Sequence, residues 1–294
     1  MGYGLALAGG GTRGAAHAGI LLALEEDGLL PDFIAGTSAG SIAAGCFASG
    51  MRAEELCDAV HHLAAHGMEY MDPDIGNLLF LIPQVLFKGK VSLSGLLKGK
   101  RLNRYFCRLT GEKRLEELRM GLLIPAVDLL SGDTICFTNR RIIPEMMGGE
   151  AEEGRHIQWR GEGRLCDIMM ASSSVPGVFR PLHLNHFCLV DGGVADNLPV
   201  NLMKTAGAER IAAVDIGSDY EMPEDDSVFE ILSHSFSIMS SNLKNCRSQG
   251  ECVYLQPQLT KKAGLLTFDH MEECMEEAYR YMKKNRGQIR KLMN

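Results

Sequence analysis

The chain has 294 residues, 46% of them hydrophobic and 23% charged, with a formal net charge of −7. That balance fits a globular protein and argues against a nucleic-acid partner, and no apolar run reaches bilayer-spanning length. Nine cysteines, scattered, odd in number and without a Cys-x-x-Cys pair, indicate neither a zinc site nor a disulfide framework. The opening Met1–Ala8 has no basic stretch before an apolar one, and Ala6 stands where myristoylation needs Ser or Thr. Reduced thiols and a cytoplasmic location are therefore expected.

Gly4 to Ala8 reads as a short buried strand running into a glycine loop, Gly9 to Gly14. Ile20, Leu21, Leu22 and Leu24 then form a helix for which Gly28 is the C-terminal stop. Phe33-Ile34-Ala35 is a second strand, and Ser41 to Ala48 a small-residue helix able to lie close on a sheet. Strand, glycine turn and helix repeated in this way is the α/β rhythm. Leu122 to Leu130 and Thr134 to Thr138 predict a β-hairpin, and Phe187 to Val190 a strand ending at Asp191. Ile211 to Ile216 and Cys252 to Leu255 are further strands, and residues 269–292 form a charged amphipathic closing helix. The Gly-rich and charged stretches 148–163 and 218–226 read as surface loops, so that 1–294 forms a single domain.

Three segments carry chemistry. Gly36-Thr37-Ser38-Ala39-Gly40 has the G-x-S-x-G pattern between a strand and a helix. Such a turn is tight enough to need Gly36 and Gly40, and it lifts the Ser38 hydroxyl above the strand ends at a helix N-terminus. Gly9-Gly10-Gly11-Thr12-Arg13-Gly14 exposes unshielded backbone N–H groups to an oxyanion, with Arg13 adding positive charge. Gly9, Gly11 and Gly14 also satisfy a dinucleotide fingerprint. That reading demands an acidic residue at the end of the second strand, where Gly36-Thr37-Ser38 stands instead. Asp191-Gly192-Gly193 ends a strand and points into the crevice where α/β sites form. There a desolvated carboxylate could take the proton of a serine hydroxyl.

The order of these segments resembles the patatin-like phospholipases of single-domain bacterial type, as does Ala171-Ser172-Ser173-Ser174-Val175-Pro176-Gly177 before the aspartate. The resemblance runs from about Gly4 to Gly217. It implies a three-layer α/β/α sandwich with a mainly parallel central sheet, and hydrolysis of lipid acyl esters through an acyl-enzyme, without metal or cofactor. It implies a Ser38–Asp191 dyad, an oxyanion hole from Gly9, Gly10, Gly11 and Arg13, and supporting roles for Gly14, Gly192 and Gly193. Acyl transfer, thioester hydrolysis and a catalytically silent lipid-binding role remain alternatives on the same scaffold. A Ser-His-Asp triad would need a histidine after Asp191, which leaves His234 and His270, both in helical stretches. His17, His61, His62 and His66 read as helix-surface or partly buried residues. Leu78 to Phe87, followed by Lys88, Lys90, Lys98, Lys100 and Arg101, reads as a lid or interfacial segment over 76–101, suited to peripheral contact with an anionic membrane.

Overall fold

A computed structural model describes residues 2–74, 95–140, 156–217, 228–247 and 251–293. Among these, nine strands form one sheet: β1 (Gly4–Leu7), β2 (Phe33–Gly36), β3 (Gly121–Asp128), β4 (Thr134–Thr138), β5 (Ile157–Arg160), β6 (Leu182–Leu184), β7 (Phe187–Asp191), β8 (Ile211–Val214) and β9 (Val253–Leu255). The main path runs β5-β4-β3-β2-β1-β8-β9. β1 is central, parallel to β2 and β8, and every residue of those three strands is buried. Strands covered on both faces read as continuous apolar runs, which is why Leu5-Ala6-Leu7 and Phe33-Ile34-Ala35 show no alternation.

The helices are α1 (Ala16–Glu26), α2 (Ala39–Ala48), α3 (Ala53–His66), α4 (Lys100–Leu109), α5 (Leu165–Ser172), α6 (Val200–Thr205), α7 (Val228–Arg247) and α8 (Met271–Met293). They surround the mainly parallel sheet, giving the expected α/β class. α1 packs on α8 and α3, α2 lies on β2 and against α5, and α7 reaches the Gly192–Val194 turn. The long closing helix predicted from the charge pattern is α8, and Gly28 adopts the left-handed conformation of a helix stop.

Two expectations are corrected. Ile157–Arg160, placed in a surface loop by its charged, glycine-rich surroundings, pairs in parallel with β4 as an edge strand. A half-buried edge strand needs little apolar patterning, so composition hides it. Cys107 on α4 and Cys166 on α5 form a disulfide across 59 residues. The pair arises from packing of α4 on α5, which cysteine spacing does not encode. Cys46, Cys57, Cys136 and Cys274 are buried thiols outside the disulfide, as expected of small apolar side chains.

The apolar segment 78–87 lies outside the described residues. Of its flanks, Asp74 N–H donates to Leu96 O, and Asp74 is buried against Arg180 and Lys98. No helix of the described residues is long and apolar enough to cross a membrane.

One feature of the topology positions the site. β2 pairs with the first half of β3 (Ala35 opposite Leu123), and β7 pairs with its second half (Ala126 opposite Asp191). Ala126 also pairs with Ile135 of β4, so β7 and β2 share the opposite edge of β3. β2 runs parallel to β3 and β7 antiparallel, so the two strands point at each other head to head. The residues just past the end of β2 and at the end of β7 must meet in the gap, about 10 Å long at the strand rise of each residue.

Candidate active site

Ser38 and Asp191 occupy that gap. Ser38 has φ 53° and ψ −122°, a left-handed conformation that an L-residue adopts only when its surroundings enforce it. The enforcement is visible on both sides of the residue. Ser38 N–H donates to Ser172 Oγ at 3.1 Å, and Ser38 O accepts from Ser41 Oγ at 2.6 Å and from Ser173 Oγ at 3.2 Å. Thr37 Oγ1 donates to the carbonyl of Asp196, tying the turn to the segment after Asp191. The flanking glycines are required by space: a Cβ on Gly36 would stand 2.1 Å from Gly40 O, and one on Gly40 would stand 2.3 Å from Leu7 O.

The glycine loop follows β1 and tightens into a 3-10 turn over Gly11–Ala15. It passes directly beside the serine, since a Cβ on Gly9 would be 3.0 Å from Ser38 Cβ and 2.4 Å from Asn197 Oδ1. Gly9 N–H already donates to Asn197 O at 3.1 Å. That refines the expected donor set, because an N–H spent inside the protein cannot meet an oxyanion. Gly10 and Gly11 N–H have no such acceptor among the described residues. Arg13 is buried in the loop, and its positive charge is felt at the Cys274 thiol of α8.

Asp191 is fully buried. Its Oδ1 accepts from Gly193 N–H at 2.7 Å, while Oδ2 has no hydrogen bond of closed geometry. Burial pushes its pKa up to about 7, and the Ser38 hydroxyl and Gly193 N–H, each able to donate to the ionised form, hold it from rising further. A carboxyl so poised exchanges its proton near neutral pH and interacts with the serine hydroxyl. Asp191 N–H donates to Ser174 O, so the serine run before the aspartate braces both groups.

The histidines divide differently from expectation. His61, His62 and His66 bond to Glu272, Tyr70 and Glu69 on the surface, and His270 bonds to Glu273. His234 is half-buried on α7. His17, expected to be helix-surface or partly buried, is completely buried, and its Nε2 lies 2.8 Å from Ala8 O at the mouth of the glycine loop. Burial lowers its pKa to about 4, so the ring is neutral and Nε2–H donates to the carbonyl. The missed signal is its place as the second residue of α1, directly after the glycine loop. Between pH 6.5 and 4 the unfolded chain binds the His17 proton and the native chain does not, so stability falls as pH falls through that window. Urea midpoints at pH 4.5 and 7 should show this loss, and His17→Leu should reduce the difference between them.

A parallel-sheet α/β protein with a strained serine turn, a glycine loop and a buried carboxyl at the strand ends defines a serine-hydrolase-like architecture. The model of the Patatin-like phospholipase family matches residues 5–204, and the chain belongs to that family. An uncharacterized NTE family protein of Mycobacterium tuberculosis is 32% identical over 93% of this chain. The match takes up 44% of that protein, so the chain spans less than half of its relative's length. Lysophospholipase NTE1 of Candida albicans is 29% identical over 73% of this chain and 13% of its own length. Among solved structures, VipD of Legionella pneumophila superposes with a TM-score of 0.51 at 14% identity, covering 99% of this chain and 67% of VipD, which is a likeness of fold.

Proposed function

We propose that this chain is a serine esterase that hydrolyses acyl lipids, with lysophospholipids and phospholipids as the substrate class. Ser38 is the nucleophile, Asp191 the general base, and Gly10 and Gly11 N–H the oxyanion donors. The observation that carries the reading is the buried Asp191 carboxyl, with a pKa of about 7 and the Ser38 hydroxyl among the groups acting on it.

In the ionised form, Asp191 takes the Ser38 proton as Oγ attacks the ester carbonyl. The carbonyl oxygen becomes an oxyanion held by the two glycine N–H groups, each of which contributes about 3–4 kcal/mol to a transition state of this type. Collapse of the tetrahedral species breaks the ester C–O bond, and Asp191 returns the proton to the departing alkoxide. Water then attacks the acyl-Ser38 ester, giving its proton to Asp191, and the fatty acid leaves as Ser38 recovers a proton. The matched lysophospholipase and the family's name support an acyl-lipid substrate. An alcohol or thiol acceptor in place of water would give acyl transfer.

A fluorophosphonate probe tests the proposal, read together with a panel of p-nitrophenyl and lysophospholipid esters. The expected result is one adduct, mapped to the peptide containing Ser38, and stoichiometric loss of esterase activity. Folded protein that resists labelling would make it a lipid-binding member of its family.

A further inference from the structure

The segment after Asp191 contains a residue with no role in the chemistry above, yet it binds the glycine loop and lies close to Gly193 beside the aspartate. Asn197 is half-buried at the site, six residues past Asp191. Its carbonyl accepts Gly9 N–H at 3.1 Å, and its side-chain Nδ2 donates to Gly9 O at 3.4 Å. Its Oδ1 lies against Gly9 and is close to Gly193, where an added Cβ would stand 3.1 Å away. The preceding residue, Asp196, accepts from Thr37 Oγ1 and donates its N–H to Gly192 O.

Peptide groups are planar, so Gly9 C=O and Gly10 N–H turn as one unit and point in opposite directions. A peptide between two glycines lacks the Cβ contacts that ordinarily keep it from rotating. Holding Gly9 O therefore fixes the direction of Gly10 N–H, which the proposed mechanism uses as an oxyanion donor. We infer that Asn197 is a positioning residue: its side-chain amide locks the Gly9–Gly10 peptide so that Gly10 N–H faces the oxyanion formed at Ser38. This inference rests on the proposed esterase mechanism. The amide is suited to the task because Nδ2–H attracts a carbonyl, whereas a carboxylate in its place would repel Gly9 O and favour the flipped peptide.

N197A and N197D are compared with wild type, with turnover counted per fluorophosphonate-titrated site so that misfolded protein drops out. They are also compared with Ser38→Ala, which the probe cannot titrate and whose turnover is counted per folded chain. Two inhibitors are used: a trifluoromethyl ketone, whose adduct carries the oxyanion, and the corresponding alcohol, which forms no adduct. N197A is expected to lower kcat roughly 10- to 100-fold with KM within about twofold, and N197D to lower it further. Ketone affinity should fall in step with kcat while alcohol affinity stays unchanged, and the pH midpoint of N197A should remain that of wild type. Unchanged kcat in N197A would overturn the inference, as would equal losses for ketone and alcohol, or a loss of kcat accompanied by a moved pH midpoint. If Ser38→Ala keeps its activity, the esterase mechanism fails and Asn197 falls with it. If Ser38→Ala is inactive while N197A is not, only the role of Asn197 fails.

Discussion

Ser38→Ala is expected to lower ester turnover by roughly 10⁴- to 10⁶-fold, the scale on which losing the nucleophile of a serine hydrolase is felt. The residual rate would come from binding and the oxyanion donors alone. The protein should stay folded, because the backbone bonds to Ser172, Ser173 and Ser41 that hold the turn use the peptide of residue 38 and not its hydroxyl. Ser38→Gly separates chemistry from strain. At φ 53° and ψ −122° a Cβ is a liability, with a cost on the order of 1–3 kcal/mol that glycine does not bear. The glycine variant should therefore be as inactive as the alanine variant and measurably more stable. Urea midpoints for the three proteins check the order Gly above Ala and Ser.

Asp191→Asn is expected to reduce kcat by roughly 10²- to 10⁴-fold, the range that general-base catalysis supplies. It is also expected to stabilise the protein above neutral pH. The Asp191 pKa rises from an ordinary 3.8 to about 7 on folding, chiefly because burial penalises the charged form. Between those two values the native state holds a proton that the unfolded state has released, so this group's contribution to stability falls as pH rises through the window. Above pH 7 the native protein bears the net cost of holding the buried carboxylate, on the order of 4 kcal/mol at 1.36 kcal/mol per unit. An amide carries no such charge, and its oxygen can still accept from Gly193 N–H. Urea unfolding at pH 5 and pH 8 should show the variant gaining on wild type as pH rises. In wild type, kcat/KM should climb through a midpoint near 7 as Asp191 ionises. A site that gains reactivity from a destabilising buried charge is the trade-off expected of an active centre.

Much of this was legible in the sequence because it is written in local chain grammar. Gly36 and Gly40 around Ser38 specify a strand–turn–helix junction with no reference to the rest of the fold, and Gly9-Gly10-Gly11 after an apolar run likewise marks a backbone open to an anion. Asp191 was placed at a strand end by the apolar residues 187–190 before it. What pairs Asp191 with Ser38, however, is the head-to-head meeting of β2 and β7 along β3, a long-range register that no segment carries alone. The same reason accounts for the misses. His17 is buried because it lies against Ala8 and near Asp215, at the ends of β1 and β8, strands far apart in sequence, and Cys107 meets Cys166 because α4 packs on α5. β5 reads as loop because an edge strand, paired among the described residues with β4 alone, needs no apolar alternation. Asn197 lies in the same segment as Asp191-Gly192-Gly193, but an asparagine after a turn is ordinary until its amide is seen on Gly9.

The Ser38–Asp191 pairing is the centre of the account, and the rate of fluorophosphonate labelling at Ser38 in Asp191→Asn tests it most directly. The variant should label at least about 100-fold more slowly than wild type at pH 8 while remaining folded, whereas His234→Ala and His270→Ala should label within a fewfold of wild type. Labelling of Asp191→Asn at the wild-type rate, or a collapse of labelling in either histidine variant with folding intact, would contradict it.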